Sequence, residues 1–120
     1  MNIYEVQPIF SHPTHPFELT IDAPGSKSIT NRALMLAALA NGETLLKGAL
    51  FSDDSRHFLQ CLKDLGFDVV VDEPAHTVRV TGLGGRIPKE TAAINVGSAG
   101  TAARFLTAML GCAKGVWHLD

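Results

Sequence analysis

The sequence predicts a mixed α/β fold in which a β-α-β-α-β-β unit is followed by the start of a second one. Short strand-like stretches alternate with apolar helical stretches, and glycines separate them. The 120 residues are 46% hydrophobic but only 7% aromatic and include 11 glycines, which suits an α/β protein of small aliphatic side chains and tight turns. A chain of this length fits one domain or part of one.

The first predicted strand and the first predicted helix flank a glycine-containing turn. Residues 17–22 alternate apolar and polar side chains, as a half-buried strand does. The turn at residues 23–25 leads into a helix expected at residues 28–40, which residues 41–42 are expected to end as a C-cap. Because residues 33–40 include no polar side chain, we expect this helix to be buried on nearly all sides.

A second strand, at residues 43–50, leads to a second helix that begins after Ser52. Asp53 and Asp54 occupy the first turn of this helix, where its dipole favours acidic side chains, and Gly66 ends it. Its apolar and polar side chains fall on opposite faces. The predicted buried stripe consists of Phe58, Leu59, Leu62 and Leu65, and the predicted solvent-facing set of His57, Gln60, Lys63 and Asp64.

A hairpin is predicted next, from strands at residues 67–72 and 77–81. A glycine-rich connection at residues 82–85 follows it. A strand at residues 92–96 then leads into a third helix within the segment VGSAGTAARFLTAMLGCA, and a last strand is expected at residues 116–119. The order of elements has therefore begun to repeat.

The repetition is also visible residue by residue. A shift of 72 positions lays Gly97 on Gly25, Ser98 on Ser26, Arg104 on Arg32 and Leu106 on Leu34. Chance similarity of two apolar helices is the alternative, because Ala and Leu match easily. The Gly, Ser and Arg matches favour a repeated supersecondary unit.

The start of the first helix predicts a site for an anionic metabolite. Lys27, Ser28 and Arg32 lie at the end of the helix where unpaired backbone N–H groups and the helix dipole favour phosphate or carboxylate. Ser28 and Arg32 are four residues apart, so a hydroxyl and a guanidinium can converge on one ligand. The alternative is an ordinary helix cap with solvated charges.

Several other classes of function are disfavoured by the composition. A net charge of −2, a pI near 6.2 and the lack of a basic stripe argue against nucleic acid as a partner. No run of 18 apolar residues and no basic leader is present, so we expect a cytoplasmic protein without a membrane partner. Cys61 and Cys112 are expected to be buried free thiols, and His12 and His15 to lie in a surface turn rather than to bind metal.

Three segments, in order, cover nearly all of the chain after residue 22: PGSKSITNRALMLAALANGETLL, LFSDDSRHFLQCLKDLG and GSAGTAARFLTAML. Together they resemble the 5-enolpyruvylshikimate-3-phosphate synthases, or 3-phosphoshikimate 1-carboxyvinyltransferases. The resemblance implies a two-domain fold of six such units with the active site between the domains. This chain would be an N-terminal fragment, with hinge strands at residues 1–22, the first unit of the upper domain at 23–85 and a truncated second unit at 86–120.

The resemblance also implies roles for single residues. Lys27 resembles the lysine that contacts both substrates, shikimate 3-phosphate and phosphoenolpyruvate, and it is the residue here with a claim to proton transfer. Ser28 and Arg32 resemble the pair that holds the shikimate carboxylate. Gly100 resembles the glycine whose backbone lies against phosphoenolpyruvate, so we expect Gly100→Ala to weaken binding of that substrate and of its mimic glyphosate.

Other positions near these residues are given supporting roles. Arg104 and Thr101 belong to the family's Gly-Thr-x-x-Arg pattern. Two roles stay open for Arg104, contact with the ligand and support of the loop, and we favour support. Ser98 stands where the family commonly has Asn, and Phe105 where it commonly has Pro. The shorter Ser98 side chain reaches less far towards a ligand. Asp54 is expected either to support Arg32, to pair with Asp53, or simply to stabilise its helix start.

The activity implied is transfer of the enolpyruvyl group of phosphoenolpyruvate to the 5-hydroxyl of shikimate 3-phosphate with release of phosphate, in aromatic amino acid biosynthesis. No metal or organic cofactor is implied. The remainder of the parent enzyme would be a partner, and the fragment alone is expected to be inactive. Two alternatives stay open, a UDP-sugar enolpyruvyl transferase of the same fold and a non-catalytic anion-binding module.

Overall fold

The computed structural model describes residues 3, 5 and 20–120, and the fold is mixed α/β as the sequence predicts. The described part of the chain contains three helices and five strands. In chain order they are α1 (Lys27–Leu39), β1 (Asn41–Lys47), α2 (Asp53–Asp64), β2 (Asp68–Asp72), β3 (Thr77–Leu83), β4 (Thr91–Ile94), α3 (Gly100–Gly111) and β5 (Val116–Leu119).

The strands form two sheets. In the first, β3 lies between β1 and β2 and pairs antiparallel with both, with Asn41 opposite Leu83 and Asp68 opposite Thr81. In the second, β4 and β5 are parallel, with Thr91 opposite Val116. Parallel neighbours need a crossover connection, and α3 supplies it. The predicted hairpin is thereby confirmed as β2 and β3.

The predicted first strand and the predicted end of the first helix need separate comment. Residues 17–19 of the predicted first strand are not among the described residues, and residues 20–22 have no regular structure. The predicted C-cap at residues 41–42 belongs instead to β1, while Ala40 caps α1. Asn41 and Gly42 extend β1 because the longer β3 pairs with them, an interaction that helix-end statistics do not include.

The core lies between the helices and the two sheets. All four residues of the predicted stripe on α2 are buried, and Phe58, Leu62 and Leu65 are wholly inaccessible. Burying a side chain of this size stabilises the fold by about 1.5–3 kcal/mol relative to its exposure. Their partners from the other elements include Leu34, Ala38, Val78, Val80, Ile94, Ala102 and Leu106.

α1 is packed closely on β3 but is not buried on all sides. A Cβ atom on Gly82 would collide with the carbonyl oxygen atoms of Ala37 and Ala40, so the lack of a side chain there sets how near the helix lies to the sheet. On the opposite face, Ile29 and Leu36 are 69% and 68% exposed. The prediction of a helix buried nearly all round is therefore wrong, because the first sheet, α2 and α3 together leave the face with Ile29 and Leu36 uncovered.

Candidate anion-binding site

The first turn of α1 is capped by a serine and begins with a cation. The side chain of Ser26 accepts a hydrogen bond of 3.3 Å from the backbone N–H of Ile29. Lys27 follows as the first helical residue, and no acidic side chain lies in this turn. A lysine at the positive end of a helix dipole is unfavourable for the helix itself. The cation is therefore better explained by what it contacts than by helix stability.

Lys27 contacts an acidic side chain of the neighbouring helix. Its Nζ atom lies 3.2 Å from Oδ2 of Asp54, whose side chain is 24% exposed against 52% for the lysine. Ion pairs this open to solvent contribute only about 0–1 kcal/mol to stability. The pair instead restrains the lysine beside the helix N-terminus. The expectation that Asp54 supports Arg32 is not what the geometry shows, because its salt bridge is with Lys27.

The arginines of α1 and α3 adopt the same arrangement. Nη1 of Arg32 donates a hydrogen bond of 3.0 Å to the carbonyl oxygen of Ser28, and Nε of Arg104 donates one of 3.2 Å to that of Gly100. Both bonds span four residues and both positions agree with the 72-residue shift. Each guanidinium is thus folded back over the first turn of its own helix, so its positive charge is held near that helix N-terminus.

The three helix starts differ in a way that matters for anions. α2 is neutralised by its own residues, since Ser52 and Ser55 form a capping box and Asp53 and Asp54 lie in the first turn. α3 begins at Gly100 after an N-cap, Ala99, whose side chain offers no hydrogen bond, and it has no acid in its first turn. The starts of α1 and α3 therefore remain electrostatically positive, whereas that of α2 does not.

Gly100 lies where a ligand can approach the backbone. A Cβ atom built on Gly100 would have no other group within 4 Å, so nothing in the described fold requires glycine there. Its N–H points back to the carbonyl oxygen of Ser98 at 3.0 Å. The open space in front of this glycine is consistent with contact between backbone and ligand.

The loop before α3 is held by hydrogen bonds and by α2. The Asn95 Oδ1 atom accepts a hydrogen bond of 2.7 Å from the N–H of Gly97, and the thiol of Cys61 donates one of 3.2 Å to the carbonyl oxygen of Asn95. Gly97 has φ +55°, and an added Cβ there would lie 2.6 Å from Cε1 of His57. His57 is thus half-buried against the loop, and its predicted place on the solvent-facing side of α2 is wrong.

Asn95, Cys61 and His57 were not among the residues that sequence reasoning assigned to the site. The Asn-x-Gly spacing before α3 is a turn signal that points to Asn95. The spacing of His57 and Cys61, four residues apart on one helix, carries no comparable signal. Cys61 is buried as predicted, whereas Cys112 is exposed and its predicted burial is wrong.

Ser98 borders an open cavity of about 460 Å³ together with side chains of α2, among them Arg56 and His57. Arg56 donates two hydrogen bonds, of 3.2 and 3.0 Å, to the Glu73 carboxylate in the β2–β3 turn. The Arg56 guanidinium lowers the pKa of Glu73, chiefly through these hydrogen bonds. The pair ties the first turns of α2 to the first sheet.

One buried polar side chain beside the site lacks a hydrogen-bond partner in the part of the chain that the structure describes. Asn31 is 1% exposed, and neither its Oδ1 nor its Nδ2 atom has a hydrogen-bond partner among the described residues. Its neighbour Thr30 is satisfied, because its hydroxyl accepts a hydrogen bond of 3.0 Å from the N–H of Leu50. Buried amides without partners are costly and rare.

The predicted site residues are brought together in part. Lys27 reaches Asp54 in the first turn of α2, and the loop with Ser98 and Gly100 reaches His57 one turn later. Ser28 and Arg32 both lie on α1, where the Arg32 guanidinium donates a hydrogen bond to the Ser28 carbonyl oxygen.

In residues 3, 5 and 20–120 no three His, Cys, Asp or Glu side chains are grouped so as to hold a metal ion. The described helices are also too short to span a membrane.

The fold and the site together define an α/β segment in which the positive starts of α1 and α3 are both in contact with α2, through the Lys27–Asp54 ion pair and through His57 and Gly97. The chain belongs to the EPSP synthase (3-phosphoshikimate 1-carboxyvinyltransferase) family, whose model matches residues 12–120. This confirms the resemblance seen in the sequence.

Relatives of known name and structure agree. The 3-phosphoshikimate 1-carboxyvinyltransferase of Trichormus variabilis is 48% identical over 105 residues, which are 88% of this chain and 25% of that protein. That of Cupriavidus taiwanensis is 50% identical over 101 residues, 84% of this chain and 23% of that protein. A solved EPSP synthase from Acinetobacter baumannii matches with a TM-score of 0.73 at 30% identity, over 83% of this chain and 23% of that one. The chain thus spans about a quarter of the length of these relatives.

Proposed function

We propose that this chain supplies the first part of an enzyme that transfers the enolpyruvyl group of phosphoenolpyruvate to the 5-hydroxyl of shikimate 3-phosphate and releases phosphate. The reaction would serve aromatic amino acid biosynthesis in the cytoplasm. The observation that carries the proposal is the pair of positive helix starts, α1 and α3, each with an arginine folded over its first turn, in a chain of the EPSP synthase family. The names of the relatives favour this substrate over a UDP-sugar.

The chemistry explains the charge arrangement. Both substrates are polyanions, so an enzyme that joins them has to offset their mutual repulsion and hold the reacting atoms together. Helix N-termini do this with fixed N–H dipoles that need no reorganisation during the reaction. The absence of acids from the first turns of α1 and α3 supports this role, because acidic side chains there would repel the ligands.

Lys27 is proposed to contact both substrates and to take part in proton transfer. Asp54 would hold the lysine in place, as the 3.2 Å ion pair suggests. Because the ion pair is partly exposed, an arriving anion can share the lysine with Asp54 at small cost in stability.

Ser28 and Arg32 are proposed to hold the shikimate carboxylate. The Arg32 guanidinium now uses one nitrogen, Nη1, for the carbonyl of Ser28. An arginine has five N–H donors, so the others remain for a carboxylate.

Gly100 is proposed to receive phosphoenolpyruvate against its backbone. Ser98 and Thr101 flank it and Arg104 supports it through its bond to the Gly100 carbonyl. We propose a supporting role for Arg104 on the basis of this hydrogen bond. The same contact would admit glyphosate.

A titration of the 120-residue chain tests the shikimate 3-phosphate site. We expect the ligand to shift the backbone amide resonances of the first turn of α1 in the wild type and not in Arg32→Ala. Arg79→Ala, which removes an exposed arginine of β3, is the matched control and should respond as the wild type does. Equal responses of wild type and Arg32→Ala would remove Arg32 from the site.

An assay of phosphate release tests whether turnover requires the rest of the enzyme in addition to this chain. With both substrates and no added cofactor, we expect turnover by a full-length protein that contains this segment. The isolated chain should show none, because a site assembled between two domains lacks half of its groups here. Turnover by the chain alone at a rate near that of the full-length protein would overturn this expectation.

A further inference from the structure

Two side chains of α2 grip the loop that precedes α3. The His57 imidazole packs against Gly97 so closely that no side chain fits between them, the nearest approach to a Cβ being 2.6 Å. One helical turn later, the Cys61 thiol donates a hydrogen bond of 3.2 Å to the carbonyl oxygen of Asn95. Residues four apart lie on the same face of a helix, so the two contacts act side by side.

The path of this loop requires a glycine at position 97. Gly97 has φ +55°, a left-handed conformation, and its N–H is bonded to the Asn95 side chain at 2.7 Å. The loop then runs directly into Gly100, the first residue of α3. Because α3 has no side-chain cap, the position of its first N–H groups depends on the path of this loop rather than on a cap.

The burial of Cys61 agrees with a fixed, neutral donor. Its side chain is wholly inaccessible, and burial, followed by the nearby Asp64 carboxylate, raises the pKa of the thiol to about 11. At neutral pH the group therefore keeps its proton and can donate it to the Asn95 carbonyl. A thiolate could not make this hydrogen bond.

We propose that His57 and Cys61 are positioning residues that fix the 95–100 loop for phosphoenolpyruvate. They touch neither substrate and act through Gly97 and Asn95 on the backbone at Gly100. This inference rests on the proposed function, since it presumes that Gly100 receives phosphoenolpyruvate. It predicts a selective effect, because Lys27, Ser28 and Arg32 lie on α1 and do not depend on this loop.

Steady-state kinetics of the full-length protein that contains this segment provide the test. His57→Ala should raise KM for phosphoenolpyruvate by about tenfold, below the roughly 10²-fold loss that a 1 Å misplacement can cause. KM for shikimate 3-phosphate should change less than about twofold. His57→Phe keeps a planar ring over Gly97 and should restore most of the affinity.

Matched variants separate the two positioning residues from general damage. Cys61→Ser keeps a donor for the Asn95 carbonyl and should resemble the wild type more closely than Cys61→Val, which has none. Lys63→Ala alters the exposed face of the same helix and should leave both KM values unchanged. Equal changes in both KM values for His57→Ala, or a His57→Phe variant no better than His57→Ala, would overturn the proposal.

Amide resonances of the 120-residue chain test the positioning role of His57 separately from the proposed function. Positioning predicts that His57→Ala shifts the Gly97 and Gly100 amides and that Lys63→Ala does not. Absence of turnover by the wild-type full-length protein would overturn the proposed function. Unmoved Gly97 and Gly100 amides in His57→Ala would overturn the positioning role even if turnover is normal.

Discussion

The Nζ atom of Lys27 lies 3.2 Å from Oδ2 of Asp54, and this ion pair joins the first turns of α1 and α2. Lys27 thereby stays at the positive end of its own helix, a place that helix stability alone would disfavour. Residues that break a local rule in this way are commonly found at functional sites.

Removing the Lys27 charge should affect ligand binding and leave the fold intact. Because the ion pair is half-exposed, we expect Lys27→Ala to change the free energy of unfolding by less than about 1 kcal/mol. The same variant should lose most of its response to shikimate 3-phosphate. Urea denaturation and ligand titration measure the two effects. A loss of stability of several kcal/mol would instead assign Lys27 a structural role.

Substitution by alanine should affect stability differently at Gly100 and at Gly97. An added Cβ at Gly100 meets no other group within 4 Å, so Gly100→Ala should leave stability unchanged or raise it by up to about 1 kcal/mol. In a full-length protein it should weaken binding of phosphoenolpyruvate and glyphosate. Gly97→Ala should lower stability for two reasons. Its φ of +55° is unfavourable for alanine, and the His57 ring occupies the space that a Cβ atom would need. Thermal denaturation of both variants decides the first point, and a destabilised Gly100→Ala would contradict it.

Gly82 should be the glycine on which the packing of α1 depends. Gly82→Ala places a methyl group against the carbonyl oxygen atoms of Ala37 and Ala40, and backbone atoms cannot move aside as a side chain can. We expect a loss of about 1–3 kcal/mol or more in the free energy of unfolding. Gly111→Ala, in open space at the end of α3, is the control and should be neutral or slightly stabilising. Equal effects of the two substitutions would refute this account.

The Cys61 thiol should make stability fall at alkaline pH. Its pKa is about 11 in the folded protein and near 9.0 in an unfolded chain, so the folded state holds the proton more tightly. The contribution is complete below about pH 9 and is lost as the pH rises towards 11, by about 2 kcal/mol. Urea unfolding of wild type and Cys61→Val across this range isolates the effect. Parallel pH dependences would show that Cys61 does not contribute.

Asn31 should be replaceable by an apolar residue without loss of stability. Its buried amide has no hydrogen-bond partner among the described residues, and its desolvation is therefore uncompensated. We expect Asn31→Leu to be at least as stable as the wild type and up to about 1–3 kcal/mol more stable. Guanidinium denaturation measures this difference. A markedly less stable Asn31→Leu would show that the amide does have a partner, such as a buried water molecule.

Elements with strong local signals were predictable from the sequence. α2 is one example, since Ser52, the acids of its first turn and the Phe58 stripe all act within a few residues of one another. The β2–β3 hairpin is another. The end of α1 was predicted wrongly because the extension of β1 depends on pairing with β3, about forty residues away.

The candidate site shows the same division. Lys27, Ser28 and Arg32 are recognisable because a helix start combines them within six residues. Other contacts of the site could not be recognised in this way. Lys27 pairs with Asp54, and His57 and Cys61 contact the loop before α3; the two residues of each contact are separated by between 27 and 40 positions in the sequence.

The sequence by itself determined which segments become helices and hairpin, where the cations lie and to which family the motifs point. Those properties depend on spacing within one turn or one strand. Only the tertiary structure decided that α2 lies between the two positive helix starts, with Asp54 against Lys27 and His57 against Gly97. The packing of apolar faces sets that arrangement, and such packing specifies contacts between distant residues that no local pattern encodes.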